Sequence, residues 1–306
     1  MEGRGERMKL RTSNLFLGLI VILCPGLVQA KVMLVVSSNQ PDYLEIVQGF
    51  KKNSAFSFEE YNLAGLEDEA RKLGKRLEES KPDLFIAIGS LAAKVAKEYC
   101  QGCAVVYVAA NNVRGIKLSG NKISGISVHP PANKIIESLK TALPDRKRIG
   151  IIYNPLYTSK EISELQAAAT RAGFAFQALP VTQIKEIPPS LSQLAGQMDV
   201  YLMLDDPGVI SPDTFPYIFM SCFQKKIPIF ATSLDFIEKG AIAGYAPESS
   251  QLVNELATLS AQVLNQKSSA GKEKTAPAKL YINPKIAQMW NFNFPPQAKS
   301  QATLIQ

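Results

Sequence analysis

The stretch 82–115, "PDLFIAIGSLAAKVAKEYCQGCAVVYVAANNVRG", and the stretch 198–240, "MDVYLMLDDPGVISPDTFPYIFMSCFQKKIPIFATSLDFIEKG", have one layout. Each reads as strand, loop, helix, turn, strand and polar loop. The echo continues downstream: "ISGISVHP" from Ile123 answers "IAGYAP" from Ile242, and an amphipathic helix follows each. The strands that come next end in "IIYNP", from Ile151, and in "LYINP", which contains Tyr281. A chain that repeats one supersecondary layout reads as two copies of one lobe.

Short apolar runs rich in Val and Ile alternate with helical patterns from Lys31 onward, as in "KVMLVVSS", "DYLEIVQGFKK" and "DLFIAIG". Such alternation predicts repeated βαβ units and a mostly parallel sheet. The strands are continuously apolar, which fits strands covered on both faces. In the helix after the second strand, Leu66, Ala70, Leu73 and Leu77 recur at helical spacing, so that stripe packs on the sheet.

The fold class is therefore α/β, with two doubly wound, Rossmann-like lobes joined by a hinge. Residues 31–127 plus 248–282 are assigned to the first lobe, and 128–247 plus 283–306 to the second. Crossings between lobes are expected near 127–129, 245–247 and 282–284, where Pro or Gly suits a change of direction. The polar run "NQKSSAGKEKTAPA", 265–278, reads as an exposed loop, and the end "NFPPQAKSQATLIQ" as partly disordered.

Residues 1–30 differ from the rest. Arg4, Arg7, Lys9 and Arg11 precede the apolar run "LFLGLIVIL", and Val28 and Ala30 offer small residues before a cut. This is the layout of a secretory signal peptide, with either Met1 or Met8 as the start. The run at 15–23 is far shorter than the roughly 20 residues of a membrane-spanning helix. The mature chain is expected near Lys31, in the periplasm or outside the cell. Lipid anchoring at Cys24 is not expected, because Leu23 sits where such signals carry a small residue.

The 306 residues are 46% hydrophobic and 20% charged, with a formal net charge of +7. The basic residues are scattered apart from Arg146, Lys147 and Arg148, which lie in a short connection, so nucleic acid is not an expected partner. A single histidine, His129, excludes multi-histidine metal sites, and it precedes Pro130 and Pro131 at an expected crossing. No GxxxxGK[ST], GxSxG or GxGxxG motif occurs. Neither a cofactor nor a metal ion is expected. Asp205 and Asp206 after the strand "VYLML", and Asp235 after "IPIFATS", could do acid and base work or hold a cation. Loops beyond the carboxyl ends of strands form the ligand crevice in an open α/β sheet, so a binding role fits these carboxylates better than catalysis.

Taken together, "PDLFIAIGSLAAKVA", "VVYVAANNVRG", "ISGISVHPPANKIIESLKTALPDRKRIGIIYNP", "KIPIFATSLDFIEKGAIAGYAP" and "KLYINPKIA" resemble the ABC-transporter substrate-binding family typified by tryptophan and tyrosine receptors. The resemblance implies the type I periplasmic binding protein fold, whose lobes close on a small polar ligand such as an amino acid or related metabolite. It also implies a monomer that delivers the ligand to an ABC permease and is not an enzyme. The alternatives are a periplasmic sensor subunit and, less favoured, an exported enzyme on the same scaffold.

On this resemblance the ligand contacts come from loops at strand ends. "IAIGS" contributes Gly89 and Ser90, where a helix N-terminus suits a carboxylate; Ser90 also reads as the cap of that helix. Asn111 and Asn112 replace the Thr-Asp of relatives. "YNP" contributes Asn154, with Thr158 and Ser159 after it. Asp205 and Asp206 follow, then Ser233 and Asp235. Ser38, Asn39 and Tyr43 belong to the first loop, "SSNQPDY", which departs from the family pattern. Tyr43, Tyr153 and Tyr245 could sandwich a flat ligand.

Cys100 and Cys103 form a Cys-x-x-Cys pair at the C-terminal end of a predicted helix. A reactive pair needs its sulfur at the N-terminal pole, where the dipole lowers the thiol pKa. The expectation here is a turn, closed by a local disulfide in an oxidising compartment.

Overall fold

The computed structural model describes residues 30–109, 118–265, 271 and 273–305. The expectations for the leader, Cys24, Asn111 and Asn112 lie outside these residues.

The first part of the chain runs β1 (Val32–Val36), α1 (Pro41–Asn53), β2 (Glu59–Asn62), α2 (Glu67–Ser80), β3 (Leu84–Ile88), α3 (Ser90–Tyr99), β4 (Ala104–Val108) and β5 (Ile123–Ser127). The second runs α4 (Ala132–Ala142), β6 (Arg148–Tyr153), α5 (Pro155–Ala172), β7 (Ala175–Pro180), α6 (Ile187–Ala195), β8 (Val200–Met203), α7 (Thr214–Gln224), β9 (Ile229–Ala231), α8 (Leu234–Lys239) and β10 (Ala243–Pro247). The chain then returns through α9 (Ser249–Leu264) and β11 (Glu273–Thr275), and ends in β12 (Ala278–Ile282), α10 (Pro284–Met289), α11 (Pro296–Gln301) and β13 (Thr303–Leu304).

Two sheets result. The first has the order β11-β5-β4-β3-β1-β2 and is parallel throughout. The second has the order β13-β12-β10-β9-β8-β6-β7 and is parallel except where β12 runs against β10. The order β2-β1-β3-β4-β5 of the first reappears as β7-β6-β8-β9-β10 in the second, which is the duplication legible in the sequence.

Each sheet is covered on both faces. Val32, Leu34 and Val36 of β1 pack with Ile46, Phe50 and Leu256 of α1 and α9, while Met33 and Val35 turn to Leu73, Leu77 and Ala93 of α2 and α3. A strand whose alternate residues both meet helices has no polar face, which explains the unbroken apolar runs. The second sheet is sandwiched in the same way.

Two crossings fall in the expected places, between β5 and α4 and between β10 and α9. The third does not. The sequence reading put it at 282–284, but Ala278–Ile282 already pairs with β10 in the second sheet, so the crossing lies at Ala276 and Pro277 and 278–282 belongs to the second lobe. Leu280 and Ile282 join one core of that lobe and Tyr281 the other, and this burial fixes β12 there. The polar run expected to be a loop supplies an edge strand, β11, whose Glu273 accepts a hydrogen bond from the Tyr107 hydroxyl at 3.1 Å. The end expected to be partly disordered is ordered to Ile305: Phe294 and Ala298 are buried in the second core, and β13 pairs with β12.

Gly244 in β10 shows how closely strand and helix approach at the second crossing. A Cβ there would fall inside contact distance of the Ala231 carbonyl oxygen and 2.7 Å from Ile237 Cγ1. The backbone oxygen has no freedom to withdraw, so Gly244→Ala should lose about 3 kcal/mol in urea unfolding. Gly196→Ala, with nothing within 4 Å of the new methyl, should stay within about 0.5 kcal/mol. Equal midpoints for the two variants would contradict this packing.

Candidate functional site

In both lobes the strand order reverses between the first and third strands of the repeat, β1 and β3 in one and β6 and β8 in the other. At such a switch point the loops leave the carboxyl ends of neighbouring strands in opposite directions and open a crevice. A cavity of about 750 Å³ lies between the lobes at these ends. A second, of about 650 Å³, adjoins it and shares His129, Tyr157, Asp205 and Thr232 with it.

Each switch point is tied by one polar side chain. In the first lobe Ser37, just past β1, donates its hydroxyl to the Ile88 carbonyl at 2.8 Å and accepts the Ala92 N–H at 2.9 Å. Ser37 thereby does the capping work expected of Ser90, since the N-cap position of α3 is Gly89 and Ser90 is the first helical residue. Gly89 has φ +86, and a Cβ there would stand 2.6 Å from Ser37 Oγ and 2.8 Å from the Tyr43 ring. Glycine is what lets Tyr43 lie across the start of α3.

In the second lobe the tie is Asp206. Its buried carboxylate accepts the Asn154 N–H at 2.7 Å, the Thr158 hydroxyl at 2.6 Å and the Gly208 N–H at 2.9 Å. Asn154 in turn caps α5 by accepting the Leu156 N–H at 3.0 Å. A buried carboxylate is tolerated when its lone pairs are filled in this way.

Asp205, one residue earlier, faces the other way. It keeps solvent access through the cleft mouth, yet protein surrounds its carboxylate on most sides. Burial is the main influence and raises its pKa above the ordinary 3.8; His129 opposes, and Asp206 and Asp235 add to the rise. Across the cleft, burial also raises the pKa of Asp42 in the first turn of α1, and Asp235, Asp205 and Glu45 push it further up. The Tyr43 hydroxyl is pushed up to about 12 by burial, then by Asp205 and Asp42. Tyr43 therefore stays a neutral hydrogen-bonding phenol.

Of the residues expected at the site, Tyr43, Ser90, Asp205, Ser233 and Asp235 line the larger cavity, and Thr158, Ser159 and again Asp205 line the smaller. Ser38, Asn39, Gly89, Asn154, Asp206 and Tyr245 line neither. The Asn39 side chain accepts a hydrogen bond from Asn62 at 2.6 Å. Tyr153 and Tyr245 pack against the core of the second lobe, so the aromatic sandwich reduces to Tyr43 and Tyr157 on the cavity wall. Sequence reasoning passed over Asp42 and Tyr157 and read His129 only as a histidine at a crossing, whereas it lines both cavities. Asp42 reads as an ordinary acidic first-turn residue, and Tyr157 sat unremarked beside Thr158 in "YNPLYTS".

Cys100 and Cys103 are joined by a disulfide at the end of α3 opposite Ser90, away from the cavity lining. Among the described residues no three His, Cys, Asp or Glu side chains gather as a metal site needs. Among the same residues no helix is long and apolar enough to cross a membrane.

Known proteins match this arrangement. Residues 42–303 match the model of the ABC transporter substrate binding protein family. A tyrosine-binding protein of Clostridioides difficile is 23% identical over 229 residues, covering 72% of this chain; the chain spans 66% of that relative's length. Among solved structures, a Streptococcus pneumonia ABC domain in complex with L-Trp has a TM-score of 0.74 at 22% identity, covering 91% of this chain and 100% of that one. A ligand-free, open substrate binding protein with adhesive properties from Clostridium difficile has a TM-score of 0.75 at 21% identity, covering 90% and 99%. The fold is the two-lobed type I periplasmic binding protein fold, also found in transcriptional regulators. The chain belongs to the ABC transporter substrate-binding protein family, a family of non-enzymatic solute-binding proteins.

The adjacent carboxylates should respond to replacement with opposite signs. Asp206→Ala strands three hydrogen-bond donors, two of them buried, and should cost about 3 kcal/mol in chemical unfolding. Asp205 has a raised pKa in the folded state, so its contribution to stability is complete below the ordinary carboxylate range and is lost as pH rises through the raised value. Asp205→Asn should therefore melt above wild type at neutral pH, and the gap should close as pH falls toward 3.8. Asp205→Asn melting below wild type at neutral pH would contradict this assignment.

Proposed function

We propose that this member of the family is an exported receptor that captures a small amine-bearing solute, an amino acid or a related metabolite, and presents it to a membrane permease. The observation that carries the reading is Asp205, a carboxylate without an ion-pair partner among the described residues, on the wall of a cleft whose two sides come from different lobes. A ligand ammonium there gains a charge-assisted hydrogen bond in a partly desolvated site. Tyr43 and Tyr157 offer flat apolar surface beside it. The relatives described as tyrosine-binding and as bound to L-Trp support an amine ligand of this size.

Binding across both walls favours the form in which the lobes approach, and that form is the one a permease can distinguish from the empty receptor. The receptor acts as a monomer and turns nothing over. Asp206, the natural partner of Asp205 in any two-carboxylate reaction, is occupied in tying α5 to β8.

Calorimetry with L-tryptophan, L-tyrosine and aliphatic amines, paired with small-angle scattering, tests this reading. The expected result is one-to-one binding of at least one of these compounds, a smaller radius of gyration at saturation and an unchanged ligand afterwards. Tyr157→Ala should weaken that binding by about tenfold. Binding of none of them, or conversion of the bound compound, would overturn the reading.

A further inference from the structure

Charge on the cleft walls narrows the ligand further, granted the reading above that the cleft takes a small amine. Six carboxylates line the larger cavity: Asp42, Glu45, Glu67, Asp205, Asp235 and Glu238. Lys94 is the one lysine on that wall, and it is bonded to Glu67 at 3.0 Å. Asp235 is paired with Lys239 at 2.7 Å. Among the described residues, Asp42 and Glu45 on the first lobe and Asp205 and Glu238 on the second have no ion-pair partner. The same cavity is lined by apolar side chains, Ile46 and Leu252 from one lobe and Ile210 and Leu234 from the other.

A zwitterion would bring its carboxylate into this field, and no arginine among the described residues faces the cavity to receive it. Behind burial, the charges of Asp235 and Asp205 help to raise the pKa of Asp42 across the gap, and that of Asp235 helps to raise the pKa of Asp205. Bringing the lobes together while empty would press like charges closer, in surroundings of lower dielectric than water. A positive group at each wall removes that opposition.

We propose that the preferred ligand is an organic dication, two ammonium groups on an aliphatic spacer, with one ammonium on Asp205 of the second lobe and the other on Asp42 of the first. The spacer packs against the apolar side chains that line the same cavity. Closure then depends on both charges being present, because a monoamine leaves one wall uncompensated.

The test is calorimetry on the mature chain with diaminobutane, diaminopentane and diaminohexane, with pentylamine as the singly charged control and L-tryptophan and L-tyrosine as zwitterions. At least one diamine should bind roughly tenfold or more tighter than pentylamine and than either amino acid. Asp42→Asn and Asp205→Asn should each weaken that diamine by roughly ten- to hundredfold. Asp42 is exposed on the first turn of α1, so its variant keeps the fold, which the melting curve verifies.

If L-tryptophan or L-tyrosine binds tightly and no diamine does, the dication falls while the solute-receptor reading stands. If none of the six compounds binds a folded protein, both fall. Diamine binding that is indifferent to Asp42→Asn overturns the two-wall arrangement.

Discussion

Asp206 turns into the protein and fills its lone pairs with the Asn154 N–H, the Thr158 hydroxyl and the Gly208 N–H. That choice leaves its neighbour on the cleft wall. The loop after β8 thus joins the start of α5 to the strand beside it, and Asp205 is carried outward on a rigid support. Without the inward tie the outward carboxylate would sit on a mobile loop, and a charge on a mobile loop relaxes toward water. Ser37 does the corresponding work in the first lobe, where it holds the start of α3 against β3 and leaves room for Tyr43 over Gly89. The duplicated strand order places these two ties at facing ends of the two sheets.

From this support follows the electrostatic character of the cleft. Carboxylates from α1, from the loop after β8 and from the first turn of α8 line one cavity, where Asp235 and Asp205 add to the effect of burial in raising the proton affinity of Asp42. The arrangement is unfavourable to the empty closed form and favourable to a cation. On the proposed reading, binding energy would in this way be coupled to lobe approach, the coupling a receptor needs if a permease is to tell the full form from the empty one.

Much of the fold was legible because it rests on period and repetition. Unbroken apolar strands announced sheets covered on both faces, and the echo of 82–115 in 198–240 announced two lobes. The third crossing was misplaced because Pro277 lies inside a polar run whose composition reads as loop, while the burial of Leu280, Tyr281 and Ile282 that assigns β12 depends on partners distant in sequence. At the site, strand-end positions pointed to Tyr43, Ser90, Asp205, Ser233 and Asp235, and these residues line the cavity wall. They could not say which of two adjacent aspartates turns inward. A loop has no period, and the answer lies in a hydrogen bond to Thr158, 48 residues away. Asp42 was hidden for a related reason: an acidic residue in the first turn of a helix has a sufficient local explanation, and only the approach of the second lobe gives it another.

The most direct measurement is native mass spectrometry of the protein purified from its source without added ligand, followed by identification of whatever small molecule is released on denaturation. A receptor built around Asp205 should carry a single small organic amine with positive charge on the side facing that residue. An anionic compound released in stoichiometric amount, such as a dicarboxylate or a phosphate ester, would contradict the assignment of this cleft.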